Sequence, residues 1–283
     1  MTTRERFAPS PTGPLHLGHA FSALTAWDAA QARGGSFLLR IEDIDQSRAR
    51  PEWEAAIFDD LRWLGIDWPE PVLRQSENLP RYRAALDRLW QAGLLYPCTC
   101  NRRDIAAAAA APQEGGAPAI GPDGVIYPGT CRDRARPAAR PTDAALRLDC
   151  RRAVAGMSDR LCYQEIGAAP GHRSHDPGDL PGQIGDIVLA RRDMGTSYHL
   201  SVVIDDADQG ITHVTRGHDL EEATLIHVLL QRLLDLPTPI YRHHTLIRDA
   251  AGKRLAKRHD AMALSKFRAQ GKTPADIRRM VGL

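Results

Sequence analysis

Two histidines spaced three apart, His16 and His19 in His16-Leu17-Gly18-His19, follow Arg6-Phe7-Ala8-Pro9-Ser10-Pro11-Thr12-Gly13. At i and i+3 their imidazoles lie on one side of the first turn of a helix, where unpaired backbone N–H groups already favour an anion. A phosphate fits there. Far along the chain, Lys253-Arg254-Leu255-Ala256-Lys257-Arg258 offers a lysine-rich loop that could add positive charge as charge builds on a transferring phosphorus. Alone, HxGH is more often a helix start with incidental histidines, and a basic run is weaker still. Together they read as a signature of activation by ATP.

The elements that must position these residues are legible on both sides of them. An alanine-rich helical stretch runs from the first motif through Leu24 and Trp27 to Gly34-Gly35, a natural C-terminal stop. Ser36-Phe37-Leu38-Leu39-Arg40-Ile41 is nearly continuous apolar, as a strand buried on both faces requires. A helix is expected from Pro51, with Trp53, Ile57, Leu61 and Leu64 on one face and Gly65 ending it. A third carries Tyr82, Leu86 and Leu89 and stops near Gly93. This alternation predicts an α/β domain with a parallel sheet.

The pattern breaks after Tyr96. Residues 97–193 hold the cysteines, an alanine run from Ala106 to Ala111, a Gly/Pro-rich stretch and short strand candidates such as Ala145 to Leu148, and read as an inserted domain. Strand-like Leu200 to Ile204 and Ile211 to Thr215, then an apolar helix around Leu225 to Leu234, resume the α/β pattern. The expected division is therefore 1–96 with 194–247 as the catalytic domain, 97–193 as the insertion, and 248–283 as a basic helical end.

The 283 residues, 43% of them hydrophobic, can bury a substantial core. Without a signal-peptide core or a long apolar run, the expected location is cytoplasmic, with no membrane partner. Five cysteines do not suggest a secreted disulfide framework. Net charge is only +2, but residues 248–283 carry ten Lys and Arg against three Asp, +7 against −5 for the rest. A basic end on an acidic body suits a phosphate-rich partner, or equally a solvated lysine-rich tail.

RFAPSPTGPLHLGH, LLRIEDIDQSR, VVIDDADQGITHVTRG and KRLAKR, in that order, resemble successive blocks of the glutamyl class of class I aminoacyl-tRNA synthetases. There the two signatures read HIGH and KMSKS; the first is matched closely, and in the second Lys257 is the principal match. Only 26 residues follow Lys257, too few for the helical anticodon-binding domain of a full synthetase. The layout resembles the truncated branch of the family, the glutamyl-Q tRNA(Asp) synthetases. The resemblance implies a Rossmann-like fold interrupted by an acceptor-stem-type insertion, with no anticodon-binding domain. It implies activation of L-glutamate by ATP with Mg2+, and transfer to the queuosine base of tRNA(Asp), by a monomer.

Residue by residue, the resemblance assigns catalysis to His16, His19 and Lys257, with Gly18 beside them at the ATP. It puts Arg6, Ser10, Glu42, Tyr198 and Arg216 around glutamate, Glu42 on the ammonium and the two arginines on the carboxylates, in an order left open. Guanidinium forks suit carboxylates.

Cys98-Thr99-Cys100 and Cys131 could bring three thiolates together, where zinc usually takes four ligands; three unliganded thiols are as good a reading of the spacing. The resemblance supplies Tyr127 as the fourth ligand of a structural Zn2+, with Cys150, Cys162, His172 or water as substitutes. His172, His175, His213, His218, His227, His243 and His244 show no ligand pattern and read as surface or packing residues. Asp205-Asp206 reads as a strand end shaping the nucleotide pocket. Two rivals stand beside the ligase: an HxGH-fold nucleotidyl-transfer enzyme charging another acceptor, and a non-catalytic RNA-binding relative.

Overall fold

A computed structural model describes residues 2–110, 119–247 and 262–283. Three parallel strands, β1 (Arg4–Phe7), β2 (Ser36–Ile41) and β3 (Leu73–Arg74), are joined by α1 (Leu17–Ala32) and α2 (Pro51–Trp63). Gly65 at φ +79° lies just beyond the C-cap of α2, a conformation that costs a side chain dearly and glycine little. α3 (Leu79–Gln91) leads into β4 (Leu95–Cys98), α4 (Arg102–Ala110) and the hairpin β5 (Ile120–Gly121) and β6 (Gly124–Val125). Then follow β7 (Ala145–Leu148), α5 (Cys150–Val154), β8 (Leu161–Glu165), β9 (Gly171–His175), α6 (Leu180–Gln183) and β10 (Val188–Ala190). The chain continues through α7 (Tyr198–Asp208), β11 (His213–Gly217), α8 (Thr224–Leu234) and β12 (Ile240–His244), and closes with α9 (Leu264–Ala269) and α10 (Pro274–Val281).

β12 pairs in parallel with β11 on one side and β8 on the other, and β9 continues that sheet antiparallel. β11 lies beside β1, where the Thr212 N–H donates to the Arg4 carbonyl at 3.0 Å. The parallel α/β body is therefore a composite of both halves of the sequence. Within 97–193, β7 pairs antiparallel with β4 on one side and β10 on the other in a separate sheet, whereas β8 and β9 join β12 of the α/β body. One apolar core also runs across both, holding Leu146, Leu148 and Leu189 together with Tyr82, Leu200 and Ile226.

Leu200 to Ile204, expected as a strand, is instead the middle of helix α7. The Ser197 hydroxyl accepts the Leu200 N–H and caps it. Leu200, Val202, Val203 and Ile204 are all buried. A helix buried on every side presents the same unbroken apolar run as a buried strand, so periodicity could not separate them. Asp205 and Asp206 are accordingly not a strand end; they sit near the C-terminal end of α7, both buried.

The last helices are part of the core. Ile277 and Val281 of α10 are buried in the cluster that holds Leu24, Leu39 and Leu61, and Arg278 forks onto Asp28 of α1 at 2.7 and 2.9 Å. Among the described residues, no helix is long and apolar enough to cross a membrane.

Candidate active site

The start of α1 is built by its own histidines. His16 is the N-cap, and its ring Nδ1 accepts the Gly18 N–H at 3.1 Å; the His16 N–H in turn donates to Nδ1 of His19 at 3.2 Å. The rings lie 3.8 Å apart, centroid to centroid. A nitrogen that accepts carries no proton, so each neutral imidazole holds its hydrogen on Nε2. Gly18 leaves room for this: a Cβ there would meet His16 Cε1 at 3.0 Å.

A cavity of about 350 Å³ opens beside this turn and is lined by His16, Gly18, His19, Arg6, Glu42, Tyr198 and Arg216. Seven of the expected site residues thus share one wall. Ser10, exposed, lines a neighbouring recess of about 470 Å³ that shares His19, Glu42 and Tyr198 with the first. Lys257 and its KRLAKR run lie outside the described residues. Their flanks do not: Leu246 and Ile247 line the cavity, and Ala263 forms an antiparallel bridge to His16, the Leu264 N–H reaching the Leu15 carbonyl at 2.9 Å.

The charges behind the cavity are ordered by a residue that the motif reading passed over. Arg40 of β2 is fully buried; its Nη1 donates to Asp206 Oδ1 at 2.7 Å and its Nη2 to Glu42 Oε1 at 3.3 Å. Arg6 reaches the same Asp206 oxygen through Nε at 3.2 Å. Burial works against the Asp206 carboxylate, but Arg6 and Arg40 more than offset it and hold its pKa below the ordinary range. Burial wins at Glu42, raising its carboxyl despite Arg40 and Arg6, and raises the Tyr198 phenol. A charged residue inside an otherwise apolar strand was the available sign of this network.

Arg216 of β11 is different, since it makes no ion pair among the described residues. It is 5% exposed and spends its donors on neutral groups. Nε donates to His243 Nε2 at 3.1 Å and Nη1 to His227 Nδ1 at 3.0 Å; Nη2 donates to the Leu220 carbonyl at 3.2 Å and Thr224 Oγ1 at 2.7 Å. Four of five N–H groups are used, and the fifth is on Nη1. His243 is backed by Glu165, Nδ1 to Oε2 at 2.5 Å. Burial and the nearby Arg216 charge lower the pKa of both His227 and His243, so both stay neutral acceptors. His227 and His243, expected to be bland, thus hold a buried cation in place.

Sγ atoms of Cys98, Cys100 and Cys131 lie within 4.8 Å of one another, with Cys100 and Cys131 sulfurs 3.5 Å apart. Tetrahedral zinc with Zn–S about 2.3 Å spaces sulfurs by about 3.8 Å, so the cluster fits that ion. The Tyr127 hydroxyl is 3.5 Å from Cys98 Sγ and 3.3 Å from Cys100 Sγ. Cys150 packs in the main core instead, with its N–H on Asp186; Cys162 contacts Ser174 on β9, the strand that also carries His172. Burial opposes ionisation of Cys131, yet hydrogen bonds from Tyr127, Thr99 and Cys100 bring its thiol down to about 6, a state ready for a metal.

The sequence matches the family model described as tRNA synthetases class I (E and Q), catalytic domain, over residues 2–283. It is 64% identical over 281 residues to a glutamyl-Q tRNA(Asp) synthetase of Rhodobacter capsulatus, covering 98% of this chain and 99% of that one. A protein of the same name from Nocardia farcinica is 43% identical over 96% of this chain and 81% of its own. A solved glutamate tRNA ligase from Elizabethkingia meningosepticum, in complex with its amino acid, superposes with a TM-score of 0.70 at 29% identity. That match covers 91% of this chain and 52% of the ligase, so the chain spans about half the length of that solved relative. With the parallel α/β body and the His16–His19 helix start in place, these likenesses settle its kinship: the chain belongs to the class I (E and Q) tRNA synthetases, on the glutamyl-Q tRNA(Asp) synthetase branch.

Proposed function

We propose that the protein activates L-glutamate with ATP and transfers it to the queuosine base in the anticodon of tRNA(Asp). The observation that carries the glutamate assignment is Arg216: a buried guanidinium, answered by no acid among the described residues, in one cavity with the start of α1. A carboxylate supplies the missing charge. Arg6, already shared with Asp206, steers the second carboxylate, and Glu42 takes the ammonium, whose charge would offset the burial that raises its pKa. Ser10 and Tyr198 border the amino acid. Glutamine lacks the charge, and leaving a buried ion without its partner costs about 3–5 kcal/mol.

His16 and His19 donate from Nε2 to phosphate oxygens of ATP, which arrives with Mg2+, beside the N–H groups of the first turn and Gly18. A glutamate carboxylate oxygen attacks the α-phosphorus, and pyrophosphate leaves. No covalent enzyme nucleophile is needed; the protein contributes alignment and charge. Lys257 completes the charge on this reading, its segment springing from Ile247 beside the cavity and returning at Ala263 beside His16. In the second step a queuosine hydroxyl attacks the acyl carbon and AMP leaves. Cys98, Cys100, Tyr127 and Cys131 would hold Zn2+, which supplies a fold-stabilising cross-link when bound. The enzyme acts in this reading as a cytoplasmic monomer.

The test is to incubate the protein with ATP, labelled glutamate and total tRNA that contains or lacks queuosine. Label is expected on queuosine-bearing tRNA(Asp), surviving removal of the 3′-terminal adenosine and weakening as salt rises. Charging of tRNA(Glu) at its 3′ end would refute the acceptor. Label appearing without any dependence on ATP would refute the activation step.

A further inference from the structure

Arg216 is one end of a hydrogen-bond chain whose direction is fixed by its donor. A guanidinium can only donate, so His227 Nδ1, 3.0 Å from Arg216 Nη1, is bare and its proton is on Nε2. That nitrogen faces His199 Nδ1 at 3.1 Å, which must therefore accept. The proton of His199 is then on its own Nε2, 2.9 Å from Asp123 Oδ1. Each ring has one tautomer compatible with its neighbours, and the carboxylate at the far end can only accept. Both rings are buried, at 7% and 2% exposure, while the Asp123 side chain is 49% exposed.

We infer that Asp123, His199 and His227 form a directional relay that positions Arg216 Nη1, making Asp123 of the β5–β6 hairpin a positioning residue for the amino-acid pocket. Three features support this. His227 accepts from the same nitrogen that holds the only uncommitted N–H of Arg216, so the ring decides where that N–H points. The partner behind a histidine sets its tautomer and orientation, and here that partner comes from a hairpin far from β11 in sequence. Burial works against Asp123 as a carboxylate, yet its pKa is lowered, with the His199 hydrogen bond the leading favourable cause and Arg147 adding to it, consistent with a committed acceptor. Asp123 and His199 also line the larger cavity of about 920 Å³ beside the cysteine cluster, whereas Arg216 lines the smaller one. The relay thus joins two cavities that share Tyr198.

The role of the relay rests on the glutamate reading proposed above, and the experiment separates the two. Glutamate-dependent ATP–pyrophosphate exchange is measured for the wild type, Asp123→Ala and Asp123→Asn, with long-range 1H–15N NMR of the imidazoles as a second readout. Asp123→Ala should raise KM for glutamate about 10-fold, the lower scale of loss when the partner behind a functional histidine is removed, leaving kcat and KM for ATP unchanged. Asp123→Asn keeps an acceptor oxygen and should fall between. In the wild type, His199 and His227 should both show a protonated Nε2 and a bare Nδ1, and Asp123→Ala should shift both. Recovery of the KM and of the His199 and His227 signals in Asp123→Asn relative to Asp123→Ala separates loss of the acceptor oxygen from loss of hairpin structure. Unchanged KM in Asp123→Ala, or His227 protonated on Nδ1, would overturn the relay. Absence of glutamate-dependent exchange in the wild type would sink the glutamate reading instead, and the imidazole tautomers would then decide whether the relay exists.

Discussion

His19 Nδ1 accepts the backbone N–H of His16 while the two rings lie 3.8 Å apart, so the histidines hold each other's Nε2–H groups at the start of α1. Replacing either with Ala should slow adenylate formation by about 10²–10³, the scale of losing one preorganised transition-state donor. Glutamate affinity should hardly change. His16→Ala should in addition cost about 1 kcal/mol of stability, because it removes an N-cap. Pyrophosphate exchange together with urea unfolding checks both, and a full activation rate in either variant would remove that histidine from the mechanism.

Arg6 and Arg216 line one cavity but should fail differently. Arg216→Ala removes a cation whose hydrogen bonds, among the described residues, all go to neutral groups, so glutamate use should collapse while the fold persists. Arg6→Ala also strips a partner from buried Asp206, although Arg40 still holds that carboxylate. Its melting temperature should fall as well as its activity. Circular dichroism melts run beside exchange assays with glutamate and glutamine distinguish the two; equal exchange with glutamine would defeat the pocket assignment.

Asp60 of α2 gives a pH prediction with a definite sign. Burial pushes its carboxyl up to about 6, with Arg268 opposing only in part. A carboxyl raised on folding contributes stability that is full below its unfolded pKa, near 4, and lost as pH rises through about 6. Asp60→Asn should therefore stabilise the protein at pH 8, by on the order of 1–3 kcal/mol, with the gain vanishing toward pH 4. Urea midpoints across that range test it, and a gain confined to acid pH would reverse the assignment.

Zinc should be stoichiometric in the purified protein and lost in Cys98→Ser, Cys100→Ser or Cys131→Ser. Destabilisation should exceed any loss of exchange activity. Elemental analysis decides, since metal-free native protein would leave these three residues as partly buried thiols beside Tyr127. Cys150→Ser and Cys162→Ser should retain the metal.

Spacing made the outer form of the site legible, and burial hid its inner half. His16, Gly18 and His19 announce a helix start because i and i+3 positions share a face, and Gly65 and Gly93 mark real helix ends, with φ of +79° and +75°. Motif resemblance carried Arg6, Glu42, Tyr198 and Arg216 to one cavity. Nothing local in the sequence links Arg40 to Asp206, or Arg216 to His227 and Asp123, because these contacts exist only after β2, α7, α8 and the hairpin have packed. The same blindness turned α7 into an expected strand: Leu200 to Ile204 are all buried, so no exposed polar face sets the helical period along that stretch.

The bridge between His16 and Ala263 joins residues near opposite ends of the sequence, and α10 completes the packing around α1. Contacts this distant in sequence raise the entropy of closure and delay folding until late elements are available. During synthesis, the chain can form β1 and α1 early, yet the turn that carries both histidines lacks its backbone bridge to Ala263 and the packing of α10 until residues 263–281 have emerged from the ribosome. Nascent chains should therefore expose the apolar flank of α1 for most of translation, a client surface for chaperones. On the proposed reading, competence for nucleotide chemistry would arrive once residues 263–281 have packed, abruptly and not by degrees.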